Sequence, residues 1–252
     1  MRTEQLAQTL GEPVTFDQIV GEWHIYQLRR GHRFSTDDLL VAWVAMQARP
    51  GATRLLDIGA GIGSVGLMTL HAMPEEAHLT QVEVQLPSHT LARATVEDNQ
   101  LTARVTSLHQ DLREYEPPGR VFDLVTGSPP YMPIGTGVMS PHPQRAGARM
   151  ELRGDVFDYC RTAARALAPG GAFCLCHAAA DPRPEAAIRD AGLTLTMRQD
   201  VVFRQGQAPT IALYACAWEG ERVDAPPLVV RDSEGRWTPE YVALRKKMTT
   251  RG

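Results

Sequence analysis

Short apolar runs alternate along the chain with stretches whose apolar positions recur every three or four residues. Runs at 55–58, 79–84, 105–109, 121–126 and 172–177 have the length of buried strands. Helical periodicity occupies 65–73, 88–101, 155–167 and 184–191 between them, with Pro74 and Pro169-Gly170-Gly171 as stops. Two β-rich runs, 193–203 and 210–218, follow without a helix and predict an antiparallel hairpin. Ahead of the first run, Ser35-Thr36-Asp37-Asp38 has the form of a capping box. It opens a helix with Leu39, Leu40, Trp43 and Val44 on one face, which ends at Pro50-Gly51. Residues 1–34 read as a small ribbon or extended lead-in, and 221–252 as a polar tail with a helical end. The pattern predicts an α/β fold, a doubly wound, mostly parallel seven-stranded sheet with a terminal antiparallel hairpin. Its expected division is a lead-in and capping helix (1–50), a core (51–220) and a tail packing on that core (221–252).

The first strand runs into Asp57-Ile58-Gly59-Ala60-Gly61-Ile62-Gly63. Alternating glycines at the end of a buried strand and the start of a helix let backbone approach a ligand closely. Asp57 then sits at the carboxyl end of a strand, where open α/β sheets bind ligands. Two cofactors fit the spacing. Gly61, Gly63 and Gly66, with Glu83 downstream for a ribose, satisfy a dinucleotide fingerprint. An acid two residues before G-x-G-x-G instead suits S-adenosylmethionine, with Asp57 near its cationic end and Glu83 on the ribose hydroxyls. Asp111, just past the third strand, could accept from an adenine amino group.

Composition narrows the partners. The 252 residues are 43% hydrophobic, enough for one large core. No apolar run approaches the roughly 20 residues of a membrane span, and the N-terminus lacks a signal-peptide pattern, so a cytoplasmic protein without a membrane partner is expected. Cys160, Cys174, Cys176 and Cys216 lack metal-ligand spacing and read as buried free thiols. The net charge of −3 gives no global nucleic-acid signature. Local basic clusters do exist: Arg29, Arg30, His32 and Arg33; Arg145, Arg149 and Arg153; and Arg245, Lys246, Lys247 and Arg251. Together they allow contact with a polyanion.

Ser128-Pro129-Pro130-Tyr131 follows the fourth strand, on the same sheet edge as Asp57 and Gly59. The prolines stiffen the turn and leave carbonyls free to accept hydrogen bonds. Tyr131 offers a face for stacking a base or amide, and Ser128 adds an acceptor. Such a loop can hold an sp² amino group and turn its nitrogen toward an activated methyl, with no metal or strong base required. The dinucleotide reading does not account for this loop.

These motifs resemble those of class I S-adenosylmethionine-dependent methyltransferases, Rossmann-like enzymes, that modify exocyclic or amide amino groups. The lead-in from Gln27 to Trp43, Ala148-Arg149-Met150-Glu151 and the stretch from Leu228 to Tyr241 are similar to bacterial tRNA adenine-N6 methyltransferases acting on valine tRNA. The resemblance covers roughly residues 15–245. It implies S-adenosylmethionine as cofactor, tRNA as partner and adenine N6 as target. By it, Asp57, Gly59, Gly61 and Gly63 line the methionine end, Glu83 the ribose and Asp111 the adenine. Thr36 and Asp37 lie in a segment over the cofactor, and Ser128, Pro129, Pro130 and Tyr131 are catalytic. The family usually has Asn where this chain has Ser128, and SPPY also occurs in cytosine-N4 methyltransferases of DNA. Methylation of DNA cytosine, a protein glutamine or a small metabolite stays open on these residues. So does a non-catalytic, cofactor-binding module that binds RNA or a partner.

Overall fold

Alternation within a strand decides which side of a sheet each residue faces, and β7 (Leu167–Ala178) shows the outcome clearly. Cys174 and Cys176 enter one buried core, while Phe173 and Leu175 enter another on the opposite face. A strand buried on both faces belongs to the middle of a doubly wound sheet. The computed structural model describes residues 2–136 and 139–249. In it, α1 (Arg2–Leu10) precedes a ribbon of β1 (Val14–Val20) and β2 (Trp23–Leu28), and α2 (Thr36–Ala48) leads into the main sheet.

The sheet then grows by crossovers. β3 (Arg54–Ile58), α3 (Ser64–His71), β4 (His78–Glu83), α4 (Leu86–Asp98), β5 (Val105–His109) and β6 (Phe122–Gly127) come first. After β6 come α5 (Pro143–Arg149), α6 (Val156–Ala166), β7 and α7 (Arg183–Asp190). The end is β8 (Thr194–Val202), β9 (Ile211–Ala217), β10 (Val223–Val229) and α8 (Pro239–Thr249). The spatial order is β10-β8-β9-β7-β6-β3-β4-β5. Strands β7, β6, β3, β4 and β5 are parallel, while β9 is antiparallel to both β7 and β8, so the doubly wound fold and the hairpin are as expected. Chain direction across the sheet reverses at β3, between β6 and β4, which opens a crevice beyond their carboxyl ends.

Among the described residues the main sheet has eight strands rather than seven. Val223–Val229, expected as tail, pairs in parallel with β8 and carries Pro226 and Pro227. Prolines are tolerated there because β10 is an edge strand, and its register shifts between Ala225 and Leu228. The lead-in also holds a helix, α1, as well as the expected ribbon, and α5 lies inside what reads as a long loop. The ribbon packs on α4, where Tyr26 N–H donates to Thr95 Oγ1 at 3.0 Å and the Tyr26 hydroxyl to Asp98 at 2.6 Å. On α2 the buried surface is wider than a single stripe. Leu40, Val41, Ala42, Val44 and Ala45 are all buried, because this helix contacts α3, β7, β9 and α8. Among the described residues no helix is long and apolar enough to cross a membrane.

Candidate active site

Beyond β3 the backbone can follow its path only with positive φ at Gly59 (62°) and Gly61 (58°). Asp57, at the strand's end, braces the helix that follows. Its Oδ2 accepts Gly66 N–H at 3.0 Å and its Oδ1 accepts the Thr126 hydroxyl from β6 at 2.8 Å. Glu83, at the end of β4, accepts Gly61 N–H at 2.8 Å and Gln85 N–H at 2.6 Å. Asp38 reaches over from α2, where its Oδ2 accepts Ser35 N–H at 2.9 Å and the Ser64 hydroxyl at 3.2 Å. These three carboxylates and Gly59, Gly61 and Pro130 line a first cavity whose only basic wall residues are His32 and Arg153.

Burial dominates the electrostatics of this acidic cleft. It pushes the Asp57 carboxyl up to about 7, only partly offset by its two hydrogen bonds, with Asp38 and Glu83 adding repulsion. It pushes Asp38 up to about 6 and raises Glu83 as well. Arg153 offsets only part of the cost of removing these carboxylates from water, and a cationic ligand would relieve more of it. A pyrophosphate would meet repulsion instead, which removes the dinucleotide reading of the glycine spacing.

Four residues expected at the cofactor, Thr36, Asp37, Gly63 and Asp111, do not line this cavity. Gly63 is the N-cap of α3, where an added Cβ would lie 2.7 Å from Gln81 Nε2. The Thr36 hydroxyl accepts from Tyr241 of α8 at 3.5 Å. Asp111 is held by Arg113 through contacts of 2.9 and 2.6 Å, which keeps its carboxyl below the usual range. The neighbours of Asp111, Gln110 and Leu112, form the wall in its place.

A second cavity adjoins the first and has a different character. Ser128, Pro129 and Tyr131 line it, with Asp37, Arg33, Arg145 and Arg149. Asp37, expected over the cofactor, thus faces this side, where burial and then Asp38 push its carboxyl up to about 6. Tyr131 is half-buried and meets His177 edge-on, with centroids 5.9 Å apart. Arg145 and Arg149 are carried by α5, and Arg33 by the segment between β2 and α2. Arg145 donates to the Gly31 carbonyl at 3.0 and 3.2 Å, and Arg33 pairs with Asp17 at 3.0 Å. Met132 N–H donates to the Arg149 carbonyl at 3.2 Å, tying the end of α5 to the segment after Tyr131. Four residues belong to both cavities: His32, Asp38, Ser128 and Ala148.

Two of the three basic clusters therefore reach the site, except that Arg29 and Arg30 are exposed outside both linings. In the third, Arg245 stacks over Trp237 at 3.9 Å, and Arg251 lies outside the described residues. The four cysteines are buried and free, and burial pushes the Cys160 thiol up to about 12. Sequence reasoning missed Asp38 as a wall of the site, because its capping role accounts for an acid at that position. It also missed Tyr159, which lies inside a regular helical pattern and lines the first cavity.

Comparison with known proteins gives the family and the fold's neighbours. A model of the methyltransferase small domain matches residues 35–191. The tRNA1(Val) (adenine(37)-N6)-methyltransferase of Tolumonas auensis is 27% identical, covering 93% of this chain and 95% of its own. The protein of the same name from Citrobacter koseri is 29% identical over 84% of this chain and 86% of its own. Among solved structures, one described as a predicted O-methyltransferase from Agrobacterium tumefaciens shares the fold with a TM-score of 0.61. It is 21% identical and covers 85% of this chain and 98% of its own. The T. thermophilus 16S rRNA N2 G1207 methyltransferase, solved with AdoMet and guanosine, has a TM-score of 0.55. Its identity is 19%, over 83% of this chain and 50% of that one.

Proposed function

The chain belongs to the methyltransferase small domain family, and from that footing we propose that this S-adenosylmethionine-dependent methyltransferase acts on the N6 amino group of an adenine in cytoplasmic tRNA. The observation that carries the reading is the meeting of an acidic cavity and an arginine- and tyrosine-lined cavity at Ser128. The acidic side suits a cofactor with a sulfonium and an ammonium. The basic side suits a base flanked by phosphates. Relatives named as tRNA adenine-N6 methyltransferases along most of the chain support the substrate.

Asp57, Glu83 and the backbone of Gly59 and Gly61 would hold the cofactor, which when bound supplies an electrophilic methyl group. Ser128 Oγ and the Pro129 carbonyl accept from the amino group and draw its nitrogen away from planarity, which frees a lone pair otherwise delocalised into the ring. Tyr131 stacks on the base and fixes its distance from the first cavity. Arg149, which makes no side-chain hydrogen bond or ion pair among the described residues, is placed to meet a phosphate. Incubating unmodified tRNA, single-stranded DNA and protein extract with labelled cofactor tests the substrate class. Label in RNA is expected. Label confined to DNA would favour the cytosine reading that SPPY also fits.

The raised carboxyls give a pH dependence. A bound cation favours the charged forms of Asp57 and Glu83, so cofactor uptake releases protons below about pH 7. Affinity is expected to weaken from pH 8 to pH 6, by up to about tenfold per pH unit for each proton released. Titration calorimetry in two buffers of different ionisation heat measures both effects. An affinity flat across that range would remove these acids from the cofactor site.

A further inference from the structure

Serine is shorter than the asparagine that the resemblance leads one to expect at position 128, so its hydroxyl leaves part of the acceptor site at the junction unfilled. A second acceptor-bearing side chain at that junction is Asp38, which like Ser128 belongs to both cavities. Both of its hydrogen bonds, from Ser35 N–H and the Ser64 hydroxyl, fall on Oδ2. Among the described residues Oδ1 has no hydrogen bond, yet it is not one of the sealed buried atoms that lack partners. The carboxylate is held by the capping box of α2 with Oδ2 committed twice, and the residue lines both cavities. Cys176 links the two residues: its thiol donates to Ser128 Oγ at 3.8 Å and feels the charge of Asp38.

We propose that Asp38 is a catalytic residue whose Oδ1 accepts one N–H of the target amino group and takes the proton that nitrogen loses on methylation. The assignment rests on the amino-group reading above. In the step, a nitrogen–carbon bond forms as the carbon–sulfur bond breaks, and the sulfur keeps the electron pair. The surplus proton on nitrogen passes to the carboxylate and then to water. Ser128 and Asp38 together thus supply the acceptors that one amide oxygen supplies elsewhere. Burial sets the Asp38 carboxyl at about 6, close to the value at which a base works best near neutral pH.

Asp38→Asn separates this role from folding. Its amide oxygen can keep both bonds of Oδ2 while its NH₂ puts a donor where the acceptor was. Methylation of tRNA by the full chain is expected to fall about 100-fold, while melting temperature and affinity for S-adenosylhomocysteine, which lacks the sulfonium charge, stay near wild type. Ser128→Asn in the same chain, by restoring an amide oxygen, is expected to recover at least about tenfold of that loss. A rate within about threefold of wild type overturns the proposal. So does a loss mirrored in S-adenosylhomocysteine affinity, or one that Ser128→Asn does not relieve. Wild-type protein that labels no amino group overturns the amino-group reading and this assignment with it, whereas active wild type beside an active Asp38→Asn overturns only the assignment.

Discussion

Gly59→Ala is expected to abolish measurable cofactor binding and to lower the melting temperature by on the order of 10 °C. Two costs add. Gly59 has φ of 62°, a left-handed conformation that an L side chain adopts at a penalty of about 1–2 kcal/mol. Its new Cβ would also lie 1.9 Å from the Tyr159 hydroxyl and 2.7 Å from the ring carbon bearing it. Tyr159 is 5% exposed and packed among Leu56, Val125 and Phe173, so the ring cannot swing clear without disturbing a core. Overpacking of that kind costs about 1–3 kcal/mol. The glycine turn must shift instead, and the cavity it walls shifts with it. Gly61→Ala is the informative contrast. Its φ of 58° carries the same backbone penalty, but its Cβ would meet nothing within 4 Å. A smaller loss of melting temperature is expected there. Equal losses in the two variants, measured by thermal unfolding and calorimetry, would show that Tyr159 does not buttress the turn.

Tyr131→Ala is expected to reduce kcat/KM for the nucleic-acid substrate by roughly 5- to 150-fold, the equivalent of about 1–3 kcal/mol of stacking on one base. Cofactor affinity should not change, because Tyr131 lines the second cavity and not the first. Tyr131→Phe keeps the ring and should retain most of the activity. Steady-state kinetics with calorimetry of cofactor binding distinguishes the cases. A Tyr131→Ala variant of normal kcat/KM would remove the stacking platform from the mechanism.

Much of this arrangement was legible because it depends on local rules. Strand ends followed by glycine or proline turns identify Asp57, Gly59, Glu83 and Ser128 from spacing alone, and parallel pairing then brings those ends to one edge. What escaped depends on tertiary context. Pro226 and Pro227 argue against a strand unless one knows that β10 is an edge. Pro143–Arg149 is too short to signal a helix amid glycine and proline, and its place over Tyr131 follows from backbone pairing between Met132 and Glu151. Asp111 carries the right chemistry at a plausible strand end, but Arg113 two residues on captures it. Asp38 was hidden for the opposite reason, since a capping role fully accounts for it until the structure shows it lining both cavities.

The central claim is that the two cavities meet so that an adenine amino nitrogen in tRNA receives the methyl group. Nucleoside mass spectrometry tests it most directly, on unmodified tRNA treated with the pure protein and isotopically labelled S-adenosylmethionine. The account predicts label in N6-methyladenosine. Label in N4-methylcytidine alone, or in no nucleoside while the cofactor binds, would contradict it.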